Sequence, residues 1–194
     1  MLAATEAKRQ ANRWPALLGA AATKFAEQGY HATTIRDLAA ATMMTPGAIY
    51  FHVPNKQTLL LAVYEEGVQR IVDRVDRAVA GGETGWSRLA AAVEAHLEAI
   101  LDVSAFSRVV IRILPDDVPE VSADLTRLRD RYEDRFRALF GEVKLPEGMA
   151  PGLARLFLLG SLNWTPVWHR PGRTSISEIA RQMLAPLRAA GGAS

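Results

Sequence analysis

The stretch Thr33-Thr34-Ile35-Arg36-Asp37-Leu38-Ala39-Ala40-Ala41-Thr42-Met43-Met44-Thr45-Pro46-Gly47-Ala48-Ile49-Tyr50-Phe51-His52-Val53-Pro54-Asn55-Lys56 decides the fold. Either threonine at its start can cap a helix. Asp37 follows three residues after Thr34, where a capping-box partner sits, although Glu or Gln is the usual residue there. The helix so begun buries Ile35, Leu38 and Ala39. The alanines at 39–41 let a second helix approach closely at a steep angle, as a helix-turn-helix requires. Thr45 caps that second helix, and Pro46 takes its first position, where a missing amide proton costs nothing. Ile49 faces inward.

This pairing suits double-stranded DNA. A recognition helix presents its first residues to base edges in the major groove, while cations and capped helix ends grip the phosphates on either side. The candidate DNA-binding residues are Thr33, Thr34, Arg36, Thr45, Pro46, Gly47, Ala48, Tyr50, His52 and Lys56. Gly47 and Ala48 leave room for close approach, and the Ala48 methyl can meet a thymine methyl. Tyr50 and Lys56 are the expected phosphate ligands. The competing reading is a plain three-helix packing unit, with Thr34 only a cap, Tyr50 half core and His52 a solvated loop residue.

Outward from this stretch, apolar spacing of three and four residues recurs, with no strand alternation and no hairpin signal, so the fold is expected to be all-α. A first helix, Ala7 to Gln28, carries Leu17, Leu18, Ala21 and Phe25 on one face and stops at Gly29. Downstream the expected helices are Lys56 to Ala80, Thr84 to Val103, Ala105 to Leu114 before Pro115, a charged helix to Phe140 after the loop Asp116–Glu120, Ala150 to Trp168, and Ile176 to Ala190. Thr84 to Val103 places Trp86, Leu89, Val93, Leu97 and Ile100 on one face.

With 194 residues, 49% hydrophobic and 23% charged, the composition is that of a folded globular chain. The absence of cysteine excludes disulfides, thiolate metal sites and cysteine nucleophiles. Residues 1–60 hold six basic and three acidic side chains, a balance of +3 within an overall +2, which leaves −1 for the other 134. The basic end is the amino end. Neither a secretory leader nor a membrane-spanning run is read, so a cytoplasmic location is expected.

Residues 12–60 resemble the DNA-binding domain of the TetR family of bacterial repressors. The resemblance rests on Phe25-Ala26-Glu27-Gln28-Gly29-Tyr30, on Thr34 with Ile35 and Asp37-Leu38-Ala39, and above all on Gly47-Ala48-Ile49-Tyr50 followed by Lys56. Two residues depart from the pattern: Met43 in place of the small residue of the inter-helix turn, and Val53 in place of a frequent phenylalanine. A bulky residue is disfavoured at positive φ, so Met43 is expected to strain that turn.

The resemblance implies a helix-turn-helix domain over residues 1–55 and a helical bundle over 56–194 that binds a small-molecule effector and dimerises through its last two helices. It further implies a repressor that leaves a palindromic operator when the effector binds, with no cofactor and no metal. Leu153, Leu156, Phe157, Gly160, Leu162 and Trp164 suit the dimer role, with an internal core helix as the competing reading. The run from Gly160 to Pro171 resembles regulators that respond to acyl-CoA esters of fatty-acid or steroid catabolism, as does Arg108 to Leu114 more loosely.

Trp164 and Trp168 lie four apart and could stack on a planar group or anchor an interface, and Arg155, Arg170 and Arg173 could bind phosphates. The candidate ligand-binding residues are Phe106, Val110, Leu114, Phe136, Phe140, Trp164, Trp168 and Arg170. The alternative effector is a hydrophobic or cationic drug-like compound, for which Glu94, Glu98 and Asp102 could supply charge. An enzyme is not expected. Asp116, Asp117 and Glu120 sit in a Pro-flanked loop without a second acidic cluster, and His31, His52, His96 and His169 lack metal-ligand spacing. Asn163-Trp164-Thr165 spells a glycosylation sequon by chance.

Overall fold

A computed structural model describes residues 13–102 and 104–188, so residues 7–12 of the expected first helix and 189–190 of the last lie outside the described residues. Among the described residues the regular structure is helical throughout. The helices are α1 Trp14–Gln28, α2 Ile35–Thr42, α3 Pro46–His52, α4 Lys56–Val79, α5 Gly85–Leu101, α6 Ala105–Arg112, α7 Ser122–Gly141, α8 Pro151–Trp168 and α9 Ile176–Arg188. By packing, the chain forms two compact units: one holds the residues up to Gly67 together with Ser104–Leu128, the other the remainder.

In the first unit, α1 buries Leu17, Ala21, Ala22, Phe25 and Ala26 against α2 and α6. It ends at Gly29, whose φ of +85° is costly for any side-chain-bearing residue and whose N–H returns to the Phe25 carbonyl at 3.1 Å. Ser104 opens α6 by accepting from the Ser107 N–H at 3.2 Å. The helix stops at Arg112, two residues short of the expected Leu114, because Pro115 forces the residue before it into extended backbone (φ −85°, ψ 156°). The expected loop after it is wound into two 3-10 turns, Pro115–Asp117 and Pro119–Val121.

α4 meets α6 at Gly67. A Cβ there would lie 2.6 Å from Val110 Cγ2 and 2.9 Å from the Phe106 carbonyl oxygen, so the approach depends on the missing side chain.

In the second unit, Thr84 caps α5, and Leu89, Val93, Leu97 and Ile100 are buried as their spacing implies, against α8 and α9. His96 is buried among them. The Tyr132 hydroxyl donates to its Nδ1, and its Nε2–H donates to Asn163 Oδ1 at 3.2 Å, the arrangement a neutral imidazole satisfies. The His96 and Tyr132 rings stack at 5.6 Å, and Phe136 meets His96 edge-on at 5.9 Å. Burial lowers the His96 imidazole to about 4 and raises the Tyr132 phenol.

α8 is apolar on both faces. Ala154, Leu158, Leu159 and Leu162 are buried, while Leu153, Leu156, Phe157, Trp164, Val167 and Trp168 are exposed. Leu162, for which the dimer role and an internal core position were both open, belongs to the core. No helix among the described residues is long and apolar enough to cross a membrane.

Candidate nucleic-acid interface

α2 and α3 form the expected pair. The Thr34 N–H donates to Asp37 Oδ2 at 2.8 Å, and the Asp37 N–H donates to Thr34 Oγ1 at 3.2 Å, so the aspartate closes the capping box despite its shorter reach. Hydrogen bonds from the Thr34 side chain and backbone hold the Asp37 carboxyl below its ordinary range. Thr45 Oγ1 accepts from the Ala48 N–H at 3.2 Å, with Pro46 next in the first turn of α3.

The turn between the helices passes through Met43 in the left-handed region at φ +51°, as the departure from the family pattern implied. The Met43 side chain is exposed, and Arg13 Nη1 donates to its carbonyl at 3.5 Å.

Ile49 and Val53 are buried, which leaves Gly47, Tyr50 and Phe51, at intervals of three and four, on one outward face of α3. Phe51 is 68% exposed and was missed in the sequence. Its place four residues after Gly47 was the available signal. His52 is only half exposed: its ring lies 6.0 Å from Trp14, and its Nε2 is enclosed without a hydrogen-bond partner. Thr34, Arg36, Thr45, Pro46 and Gly47 are exposed and Ala48 is half-buried.

Two candidates serve the frame of the head. Thr33 is wholly buried, its hydroxyl donated to the Gly29 carbonyl at 2.9 Å. Lys56 Nζ donates to the carbonyls of Tyr30 at 3.0 Å and Thr33 at 2.9 Å, more distantly to His31 at 3.5 Å, and lies 4.3 Å from the Tyr30 ring centroid. These carbonyls follow the end of α1 and have no helical partner, so they draw the ammonium inward. Burial lowers the Lys56 ammonium from its ordinary value. On α6, Arg112 Nη1 donates to the Ala26 carbonyl at 3.0 Å, and the His31 ring donates to the Asp117 carbonyl at 2.8 Å.

The candidate effector residues fall in different settings. In the first unit, Phe106 and Val110 lie against Gly67, and Leu114 is exposed. In the second, Phe136 and Phe140 are buried, Trp164 and Trp168 are exposed, and Arg170 donates to the Val167 and His169 carbonyls at the end of α8. Arg155 is buried and paired with Glu133 at 2.5 Å, which removes it from the phosphate-binding candidates. Glu94 accepts from the Ser177 hydroxyl, Asp102 pairs with Arg74 at 3.7 Å, and Glu98 is exposed. Asp117 Oδ2 accepts from the Leu114 N–H. Among the described residues no group of three or more histidines and carboxylates could hold a metal ion.

A doubly capped helix pair with an outward second helix, followed by a long helical region, defines a helix-turn-helix regulator. Residues 17–63 match the model of bacterial regulatory proteins of the tetR family, and residues 82–190 match that of the tetracyclin repressor-like C-terminal domain. The chain is 30% identical to the HTH-type transcriptional repressor KstR2 of Rhodococcus jostii (strain RHA1), across 93% of this chain and 92% of that one. Among solved structures, superantigen PfiT is similar with a TM-score of 0.77 and 30% identity, covering 88% of this chain and 93% of that one. AibR in complex with isovaleryl coenzyme A and operator DNA shares the fold, with a TM-score of 0.76 and 24% identity over 90% of this chain and 97% of that one. The chain belongs to the TetR family of DNA-binding transcriptional regulators.

Proposed function

We propose that the protein is a cytoplasmic, homodimeric repressor that leaves a palindromic operator when it binds an acyl-CoA ester. Residues 1–55 serve the DNA, and 56–194 serve the effector and the dimer. The observation that carries the choice of effector is that no Asp or Glu is buried among the described residues. A cationic drug-like compound would find no charge partner inside such a domain, where an unpaired charge is costly. AibR, which shares the fold, was solved with isovaleryl coenzyme A and operator DNA.

Phe136 and Phe140 are assigned to the acyl group. The exposed stripe Leu153, Leu156, Phe157, Trp164, Val167 and Trp168 is assigned to the dimer, because so many exposed apolar side chains on one helix mark an interaction surface. A two-fold dimer presents its two heads to half-sites about 34 Å apart. Arg36 and Tyr50 take phosphates; Thr34, Thr45, Pro46, Gly47 and Ala48 complete the DNA-facing surface.

The test is fluorescence anisotropy of the full chain on duplex from its own promoter region, titrated with salt and then with acyl-CoA esters. Tight, salt-sensitive binding abolished by an acyl-CoA supports the reading. Specific binding released by a cationic dye and indifferent to every acyl-CoA overturns the effector assignment.

A further inference from the structure

We infer that Phe51 is a base-reading residue that recognises the 5-methyl group of a thymine in the major groove. The inference rests on the DNA-binding role of the head. Packing does not account for this side chain: Phe51 is 68% exposed on a seven-residue helix whose core contact is Ile49, fully buried.

Its neighbours explain what it can reach. Helical side chains lean over the turn that precedes them, so Phe51 covers the surface beside Gly47, four residues earlier. Gly47 has no side chain, and the position its Cβ would take is open, with only Thr45 Oγ1 at 4.0 Å. The ring thus has an unobstructed place at the end of α3 that a helix-turn-helix turns towards the bases. It meets the His52 ring edge-on at 6.1 Å.

A benzene ring offers no hydrogen bond to a base edge. In the major groove the thymine methyl is the apolar mark that separates A·T from G·C, and a phenylalanine is among the side chains that contact it. Tyr50, 52% exposed on the same face, carries a hydroxyl that suits phosphate, so the two adjacent aromatics divide the work.

The experiment uses the full chain and a random duplex pool. Sequences enriched by the wild type are remade with each thymine replaced in turn by deoxyuridine, which removes only the methyl group. Wild-type affinity is expected to fall about fourfold at one thymine per half-site, the change expected for one methyl group returned to water. Phe51→Ala should bind the enriched duplex more weakly and be indifferent to that replacement. Phe51→Leu, which keeps an apolar end, should retain part of the sensitivity.

Equal uracil sensitivity in Phe51→Ala and wild type overturns the proposal, as does wild-type affinity in Phe51→Ala. If the wild type enriches no sequence, the DNA-binding role falls and the proposal with it. Circular dichroism and salt-dependent binding to unselected duplex confirm that each variant is folded.

Discussion

Met43 holds the turn between α2 and α3 at φ +51°, a conformation that costs an L-residue about 1–2 kcal/mol. Met43→Gly is expected to raise stability by about 1 kcal/mol, net of the extra freedom glycine regains on unfolding, and the urea midpoint measures it. His96 behaves differently. Unfolded, it takes a proton near 6.5; folded, only near about 4, so the unfolded chain binds more protons as the pH falls. Its contribution therefore weakens from about pH 6.5 downward and is fully lost below about 4. Between pH 7 and 5 this removes about 2 kcal/mol, and urea curves for His96→Gln should lack that component. The caps at Thr34 and Thr45 were legible in the sequence because capping is chemistry among residues three apart. The setting of His96 was not, because Tyr132 and Asn163 come to it from distant helices.

At the level of elements, helix starts, ends marked by Gly or Pro, and the apolar face of α5 follow from local sequence, while inward-turned cations depend on tertiary neighbours. Lys56 shows why: beside Asn55 and Gln57 it reads as a surface cation, and only the folded chain brings it the carbonyls of Tyr30 and Thr33. Lys56→Met is expected to lower stability by about 2 kcal/mol, as charged hydrogen bonds are lost. It should leave the slope of log affinity against log salt unchanged, whereas Arg36→Ala, which removes one phosphate contact from each of the two heads, should reduce that slope by about 1.8. A salt titration of both variants on one duplex separates frame from phosphate ligand. The contact of α4 with α6 was equally hidden, since Gly67 in a helical run reads as a weakness. Gly67→Ala is expected to cost about 1–2 kcal/mol despite alanine's better helix propensity, because a backbone carbonyl must shift.

For the whole molecule, the all-α class was legible from periodicity and the family from one short run. The choice of faces on α8 was not legible, because an apolar residue looks the same in a core and on an unpartnered surface. Phe157→Glu with Trp164→Glu is expected to convert a dimer to a folded monomer by sedimentation. Affinity for a palindrome should fall about a hundredfold as avidity is lost, with half-site binding kept.

The four tryptophans are also unevenly placed. Trp14 lies in the first unit, 6.0 Å from His52, while Trp86, Trp164 and Trp168 lie in the second. Imidazole quenches indole emission according to its charge and contact. With the other three replaced by phenylalanine, the indole emission of this chain comes from the head alone, and an encounter with DNA becomes visible without an attached dye.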